Sequence, residues 1–222
     1  MAKIISDYGK RLLFSFGWRS RATKVRLYTS TGIIIDEQDI TFIMDTPSGT
    51  MYLSTPVIFN VPSGTTNVSQ VRLFLFGEPD VYDLLYTEDL ASYYDFTTAG
   101  TLTLDTYFFD ISSSSITVEG KNRLWNNGWV QSITFGKLIK GTNTLVDTKA
   151  CAFEISYSTN RLELESPLVF TVPADPTNLA YTIHLGYTDG ETDKIVFKKV
   201  AGVQIYPTSG THTTNTWGIG VW

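Results

Sequence analysis

The sequence predicts an all-β protein: two tandem, homologous β-sandwich domains of jelly-roll-like type, with one short helix near the N-terminus. Three observations predict this. Short runs of β-branched and aromatic residues recur along the whole chain, separated by Gly-, Pro-, Ser- and Thr-rich turns. Near the N-terminus, one segment has helical spacing. The landmarks of the first half return in the second at an offset equal to half of the 222 residues.

The repeat is carried by particular residues. Gly9, Lys10, Leu13, Gly17 and Trp18 match Gly120, Lys121, Leu124, Gly128 and Trp129. Pro56-Val57-Ile58-Phe59-Asn60-Val61-Pro62 stands opposite Pro167-Leu168-Val169-Phe170-Thr171-Val172-Pro173. A solenoid repeats every 20–50 residues or so, far less than this period. Tandem duplication of a whole domain is the expectation, with residues 1–112 as the first copy and 113–222 as the second. The Ser112–Ser115 run marks the junction.

Element by element, Ser6 or Asp7 can cap a helix on which Tyr8, Leu12, Leu13 and Phe16 share a face, and Gly17 can stop it. The equivalent helix in the second copy is doubtful because Asn126-Asn127-Gly128 interrupts it. Lys24–Tyr28 alternates and ends in Thr29-Ser30-Thr31-Gly32. Ile33–Ile35 and Ile40–Met44 follow, then a turn at Thr46–Gly49. Tyr52-Leu53 and Val57–Val61 come next, and Val71–Phe76 is a strong strand ended by Gly77-Glu78-Pro79-Asp80. Thr101–Phe109 closes the copy as a partly alternating strand. The segment Val81–Phe96 is longer than its counterpart Lys194–Tyr206 and reads as the divergent loop region of the fold. Trp217 and Trp222 end the chain, where they would tie the terminus into a sheet or an interface.

Composition limits the function classes. Residues 1–26 carry Lys3, Lys10, Arg11, Arg19, Arg21, Lys24 and Arg26 against Asp7 alone, whereas 27–111 carry Arg72 as their one base among many acids. A solvated surface is the bland explanation. The alternative is docking, with the basic arm meeting the acidic face of a neighbouring subunit, which makes Lys10, Arg11, Arg19, Arg21, Lys24 and Arg26 candidate subunit contacts. Nucleic acid is disfavoured, since the acidic body would repel phosphate. No run approaches the roughly 20 apolar residues of a membrane span. The first residues lack the apolar core of a secretory signal. No membrane partner is expected.

No nucleophile elbow, phosphate loop, dinucleotide fingerprint or zinc-protease motif is present, so the expectation is a protein that is not an enzyme and needs no cofactor or metal. Cys151 aligns with Ile40 and reads as a buried hydrophobe. His184 and His212 have no partners at metal-binding spacing. Asp189-Gly190-Glu191-Thr192-Asp193 lacks a full calcium-loop pattern and reads as a solvated turn. Tyr82, Tyr86, Tyr93 and Tyr94 cluster in the divergent segment. Aromatic platforms of this kind stack on sugars or anchor partners, so these four are candidate partner or glycan contacts, against a reading as ordinary packing.

The order of signals within one copy resembles a known group. The short helix leads to Val25-Arg26-Leu27-Tyr28-Thr29-Ser30, then to Thr55-Pro56-Val57-Ile58-Phe59-Asn60-Val61-Pro62-Ser63-Gly64-Thr65, and finally to Phe96-Thr97-Thr98-Ala99-Gly100-Thr101-Leu102-Thr103-Leu104. This is similar to small tailed-bacteriophage virion proteins of the tail-fibre-like or minor tail group. The likeness covers nearly all of the first copy and, in the second, Ser166–Thr177 and Gly210–Thr213. The second copy departs from it, with Leu138-Ile139-Lys140-Gly141 where the first has Leu27-Tyr28-Thr29-Ser30. The resemblance implies a non-enzymatic virion component that contacts other tail or capsid subunits and assembles as a homo-oligomer. A trimer would present six similar domains in a pseudo-sixfold arrangement. Capsid decoration protein and carbohydrate-binding host-recognition module are the alternatives.

Overall fold

The computed structural model describes residues 3–78, 81–104, 108–111, 113–159, 161–214 and 218–220, with side chains at 3–4, 75–78, 81–83, 108 and 218 outside that description. Trp217, Trp222, Pro79, Asp80 and Ser112 fall outside the described residues. The chain forms two compact units. Unit 1 comprises Met1–Leu13, Gly17–Asp45 and Thr50–Asp110; unit 2 comprises Phe14–Phe16, Thr46–Gly49 and Ile111–Trp222.

The first half of the chain runs β1 (Lys3–Ile5), α1 (Asp7–Phe16), β2 (Ala22–Thr29), β3 (Ile34–Asp39), β4 (Phe42–Asp45), β5 (Thr50–Leu53), β6 (Val57–Val61), β7 (Thr65–Glu78), β8 (Val81–Phe96), β9 (Gly100–Leu104) and β10 (Phe108–Phe109). Its main sheet has the order β1-β8-β7-β2-β3, beside a three-stranded sheet β10-β5-β4 and the pair β6-β9. Phe109 carries the core between them: it meets Trp18, Phe42 and Tyr86 edge-on at centroid distances of 5.6, 5.7 and 4.7 Å. Tyr86 lies on β8 of the main sheet and Phe42 on β4 of the smaller one, so one ring bridges both layers.

The second half runs α2 (Val118–Asn127), β11 (Phe135–Lys140), β12 (Thr144–Ala150), β13 (Phe153–Ser156), β14 (Arg161–Leu164), β15 (Leu168–Val172), β16 (Asp175–Asp189), β17 (Thr192–Tyr206), β18 (Gly210–Thr214) and β19 (Gly218–Ile219). Its sheets are β12-β11-β16-β17, β13-β14-β19 and β15-β18. Apart from β1, this is the strand order of the first half. Even the irregularities recur: register slips at Leu27/Tyr28 between β2 and β3, and at Leu138/Ile139 between β11 and β12.

Each helix is held the same way. Ser6 caps α1 by accepting from the Gly9 N–H, and Thr117 caps α2 by accepting from the Gly120 N–H. Such caps satisfy donors that the first helical turn leaves open. The cap backbone then joins the sheet, Ser6 N–H donating to Leu85 O and Thr117 N–H to Val196 O, both at 3.0 Å. Gly17 and Gly128 end the helices at φ 77° and 74°. The Trp18 indole N–H donates to Gly9 O at 2.9 Å, and that of Trp129 to Gly120 O at 3.0 Å. Leu13, Leu27 and Phe59 are fully buried in unit 1, as are Leu124, Leu138 and Phe170 in unit 2.

A carboxylate ties the edge of each main sheet to the next strand. Asp36 on β3 accepts from the Asn60 N–H of β6, and Asp147 on β12 from the Thr171 N–H of β15. Burial opposes ionisation of Asp147, but the bonds from Thr171, Lys149 and Thr148 outweigh it and hold its carboxyl below the usual value.

Several expectations are corrected by the fold. The doubted second helix forms; Asn126 and Asn127 occupy its last turn, where the Gly128 cap already ends it. Val81–Phe96 is a strand paired along β7, not a loop region. The closing strand expected over Thr101–Phe109 divides into β9 and β10, in two different sheets.

Candidate functional site

The structure separates the candidate basic contacts. Lys10 pairs with Asp7 on its own helix at 3.7 Å. Arg11 is half-buried, Arg19 and Arg21 are exposed, and all three have interaction partners. Lys24 and Arg26 are paired within their own unit. Antiparallel pairing sets Lys24 opposite Asp39 and Arg26 opposite Glu37. Lys24 Nζ lies 2.5 Å from Asp39 and 3.5 Å from Glu37; Arg26 Nε lies 2.5 Å from Glu37. The acidic face that attracts this basic strand is therefore the neighbouring strand of the same unit. The Asp39 bond, with the two carboxylate charges, raises the Lys24 pKa. For Arg26, burial works the other way and Glu37 overcomes it.

The four candidate tyrosines divide likewise. All lie on β8. The Tyr82 side chain is outside the described residues. Tyr86 is buried, donates to Glu88 at 3.0 Å and packs on Phe109, so its expected role as a partner or glycan contact is corrected to a core role. Tyr93 and Tyr94 are 69% and 38% exposed, at the far end of the strand.

Among the described residues, two clefts of unit 1 stand out. The larger, about 370 Å³, lies between the turn after β2 and the turn after β6, lined by Thr29, Ile33, Ile34, Pro62, Thr65 and Asn67 among others. Asn67 holds it in shape: at φ 56°, its N–H donates to Asp95 and its carbonyl accepts from the Ser30 N–H. Unit 2 has a smaller cleft of about 150 Å³ at the corresponding place, lined by Lys140, Leu145, Pro173 and Asp175. Lys140 and Asp175 form an ion pair there. Their counterparts in unit 1, Thr29 and Thr65 at the same strand ends, are uncharged and leave the larger opening.

The second cleft of unit 1, about 280 Å³, is lined by Ser30, Ser69, Gln70, Asp89, Ser92 and Tyr93 along with the Leu90-Ala91 backbone region. Sequence reasoning missed Gln70 and Asp89 because they meet only through the β7–β8 register, in which they are directly opposed.

Burial pushes the Cys151 thiol up to about 12, far from a thiolate nucleophile. Asp193 of the acidic turn pairs with Lys137. Among the described residues, no three His, Cys, Asp or Glu side chains gather as a metal site, and no helix is long and apolar enough to cross a membrane.

The histidines give a pH prediction. Burial lowers the pKa of His184, helped by the Lys198 charge, and burial also lowers that of His212, which lies 3.0 Å from both Tyr206 Oη and Gln204 Oε1. The unfolded chain binds their protons more readily than the native one, so stability rises with pH through this range. Their contribution is complete above the ordinary value of 6.5 and is lost as pH falls toward the depressed native values. Melting temperature should decline below that pH, and the decline should shrink in His184→Gln/His212→Gln. An unchanged pH profile in the double variant would contradict this assignment.

No protein-family model, curated protein or solved structure matches the chain.

Proposed function

We propose that this chain is a non-enzymatic structural component of a tailed-phage virion, associated with the tail or fibre, and that it assembles through subunit–subunit contacts. The observation that supports the reading is a recurrence of exposed apolar side chains. Ile34 of β3 and Leu145 of β12 are 50% and 53% exposed; Ile58 of β6 and Val169 of β15 are 53% and 47% exposed. Isolated apolar residues are ordinary on protein surfaces. Here they recur at matching positions on matching strands. Matching contact positions suit a chain whose halves arose by tandem duplication and occupy two similar places in a symmetric particle. The phage assignment itself rests on the resemblance of the Val25–Ser30, Thr55–Thr65 and Phe96–Leu104 segments to virion proteins.

The test is incorporation. Particles carrying Ile58→Glu/Val169→Glu should contain at least tenfold less of this protein by quantitative mass spectrometry, with the isolated variant's melting temperature unchanged. Wild-type protein should fractionate with separated tails. Recovery with heads would turn the assignment to capsid decoration. Absence from purified particles would end the virion reading.

A further inference from the structure

We propose that the cleft formed by Gln70, Asp89 and Tyr93 in unit 1 binds a sugar ring. The inference is independent of the assembly reading, and either can fail without the other.

A fixed polar chain of side chains leads into the cleft. The Arg72 guanidinium lies over the Tyr28 ring at 4.1 Å from its centroid. Arg72 Nε donates to Gln70 Oε1 at 2.7 Å, and Gln70 Nε2 donates to Asp89 Oδ1 at 2.8 Å. An arginine can only donate, so it fixes which end of the Gln70 amide faces Asp89. Asp89 is thus held at the cleft wall, and a carboxylate has a second oxygen and further lone pairs with which to accept hydroxyl protons. Ser69 and Ser92 add hydroxyls that both donate and accept. Tyr93 supplies an exposed ring on the same cleft.

This combination matches one ligand chemistry. A pyranose presents adjacent hydroxyls in its plane and an apolar C–H face. The hydroxyls suit a preset carboxylate–amide pair, and the C–H face suits an aromatic ring. The cleft, at about 280 Å³, sits at the lower edge of the roughly 300–1,000 Å³ typical of small-molecule sites, which limits it to one or two rings.

Unit 2 serves as an internal control. There the main-sheet register places Thr182 opposite Val200, where unit 1 pairs Gln70 with Asp89. Val68, opposite Thr29 of β2, pairs with Tyr94, and Tyr181, opposite Lys140 of β11, pairs with Gly202, which puts Ala201 in the place of Tyr93. Val200 is exposed, and Ala201 carries no ring. The same hairpin therefore forms without the amide, the carboxylate or the ring, so these groups are not required by the fold. An ordinary cross-strand pair would explain Gln70 and Asp89 alone; it does not explain the added aromatic and serine groups around one opening.

The full-length protein should be tested on an array of bacterial O-antigen and capsular oligosaccharides, with simple mono- and disaccharides as a second arm. The wild type should bind a subset of glycans. Tyr93→Ala should weaken that binding about tenfold, as loss of an aromatic contact implies. Asp89→Asn should weaken it comparably, whereas Tyr93→Phe and the unit 2 variant Val203→Ala should retain it. Binding by the polymeric arm alone would identify a surface polysaccharide as the source; binding by the simple arm would identify a free sugar. All three positions are on the surface, and unchanged melting temperatures would show that the fold is intact. A blank array, or glycan binding that survives both Tyr93→Ala and Asp89→Asn, overturns the proposal.

Discussion

Replacing Gly120 by alanine is expected to cost about 3 kcal/mol, and Gly9→Ala a similar amount, from forced overpacking against backbone. A Cβ at Gly120 would sit 2.1 Å from Val196 O, and one at Gly9 would sit 2.3 Å from Leu85 O. Neither carbonyl is a side-chain end that can swing aside; each accepts the cap N–H that joins helix to sheet. Relief therefore requires the helix to lift from the strand, which stretches that bond and the Trp indole bond together. Thermal unfolding should show a fall of roughly 10 °C for each variant, given typical sensitivities for units of about this size. A loss below about 1 kcal/mol at either glycine would show that the helix is not seated on the strand as described.

The second large effect concerns the buried tryptophans. Trp18→Ala and Trp129→Ala should each destabilise by about 3–5 kcal/mol, the usual range for removing a buried large aromatic. Both side chains are fully buried. Trp18 loses its edge contact with Phe109, and Trp129 its contacts with Phe197 and Phe14. Each variant also strips a carbonyl, Gly9 O or Gly120 O, of its indole donor. Phenylalanine at the same positions restores much of the volume but not the donor. Its cost should be smaller, with a residue of about 1–3 kcal/mol from the unsatisfied carbonyl. Denaturant unfolding of the four variants measures both parts, and a Trp→Phe change without loss would show that the indole bond contributes nothing.

Much of this architecture is legible in the residues because local and tertiary preferences agree. Val57–Val61 and Leu168–Val172 alternate, are flanked by prolines, and form strands with an in–out burial pattern. The helix at Asp7–Phe16 shows its cap, its apolar face and its stop glycine. Val81–Phe96 is different. Asp83, Glu88, Asp89 and Ser92 are poor strand formers on their own, and the segment is extended because β7 offers a partner for it. Asn126 and Asn127 look unfavourable for a helix, yet at its last turn they cost little.

The site was legible in part. Part of the attraction between basic and acidic segments is local. Lys24 and Arg26, and Glu37 and Asp39, are each spaced two apart around the Thr29-Ser30-Thr31-Gly32 turn, which is the signature of an antiparallel pair facing itself. That spacing was available in the sequence. The meeting of Gln70 with Asp89 was not, because four register slips between β7 and β8 decide which residues face each other. Tyr86 and Tyr93 likewise cannot be told apart by composition. Tyr86 points to Phe109 in the core and Tyr93 to solvent.

Both halves of the chain build the same strand order, apart from β1. Long-range backbone NOEs in a uniformly labelled sample test it directly. Cross-strand contacts are expected of Val25 with Leu73 and of Leu73 with Tyr86, together with their counterparts, Gly136 with Leu185 and Leu185 with Phe197. Observing one set without the other, or either half with its strands paired in a different order, would contradict it.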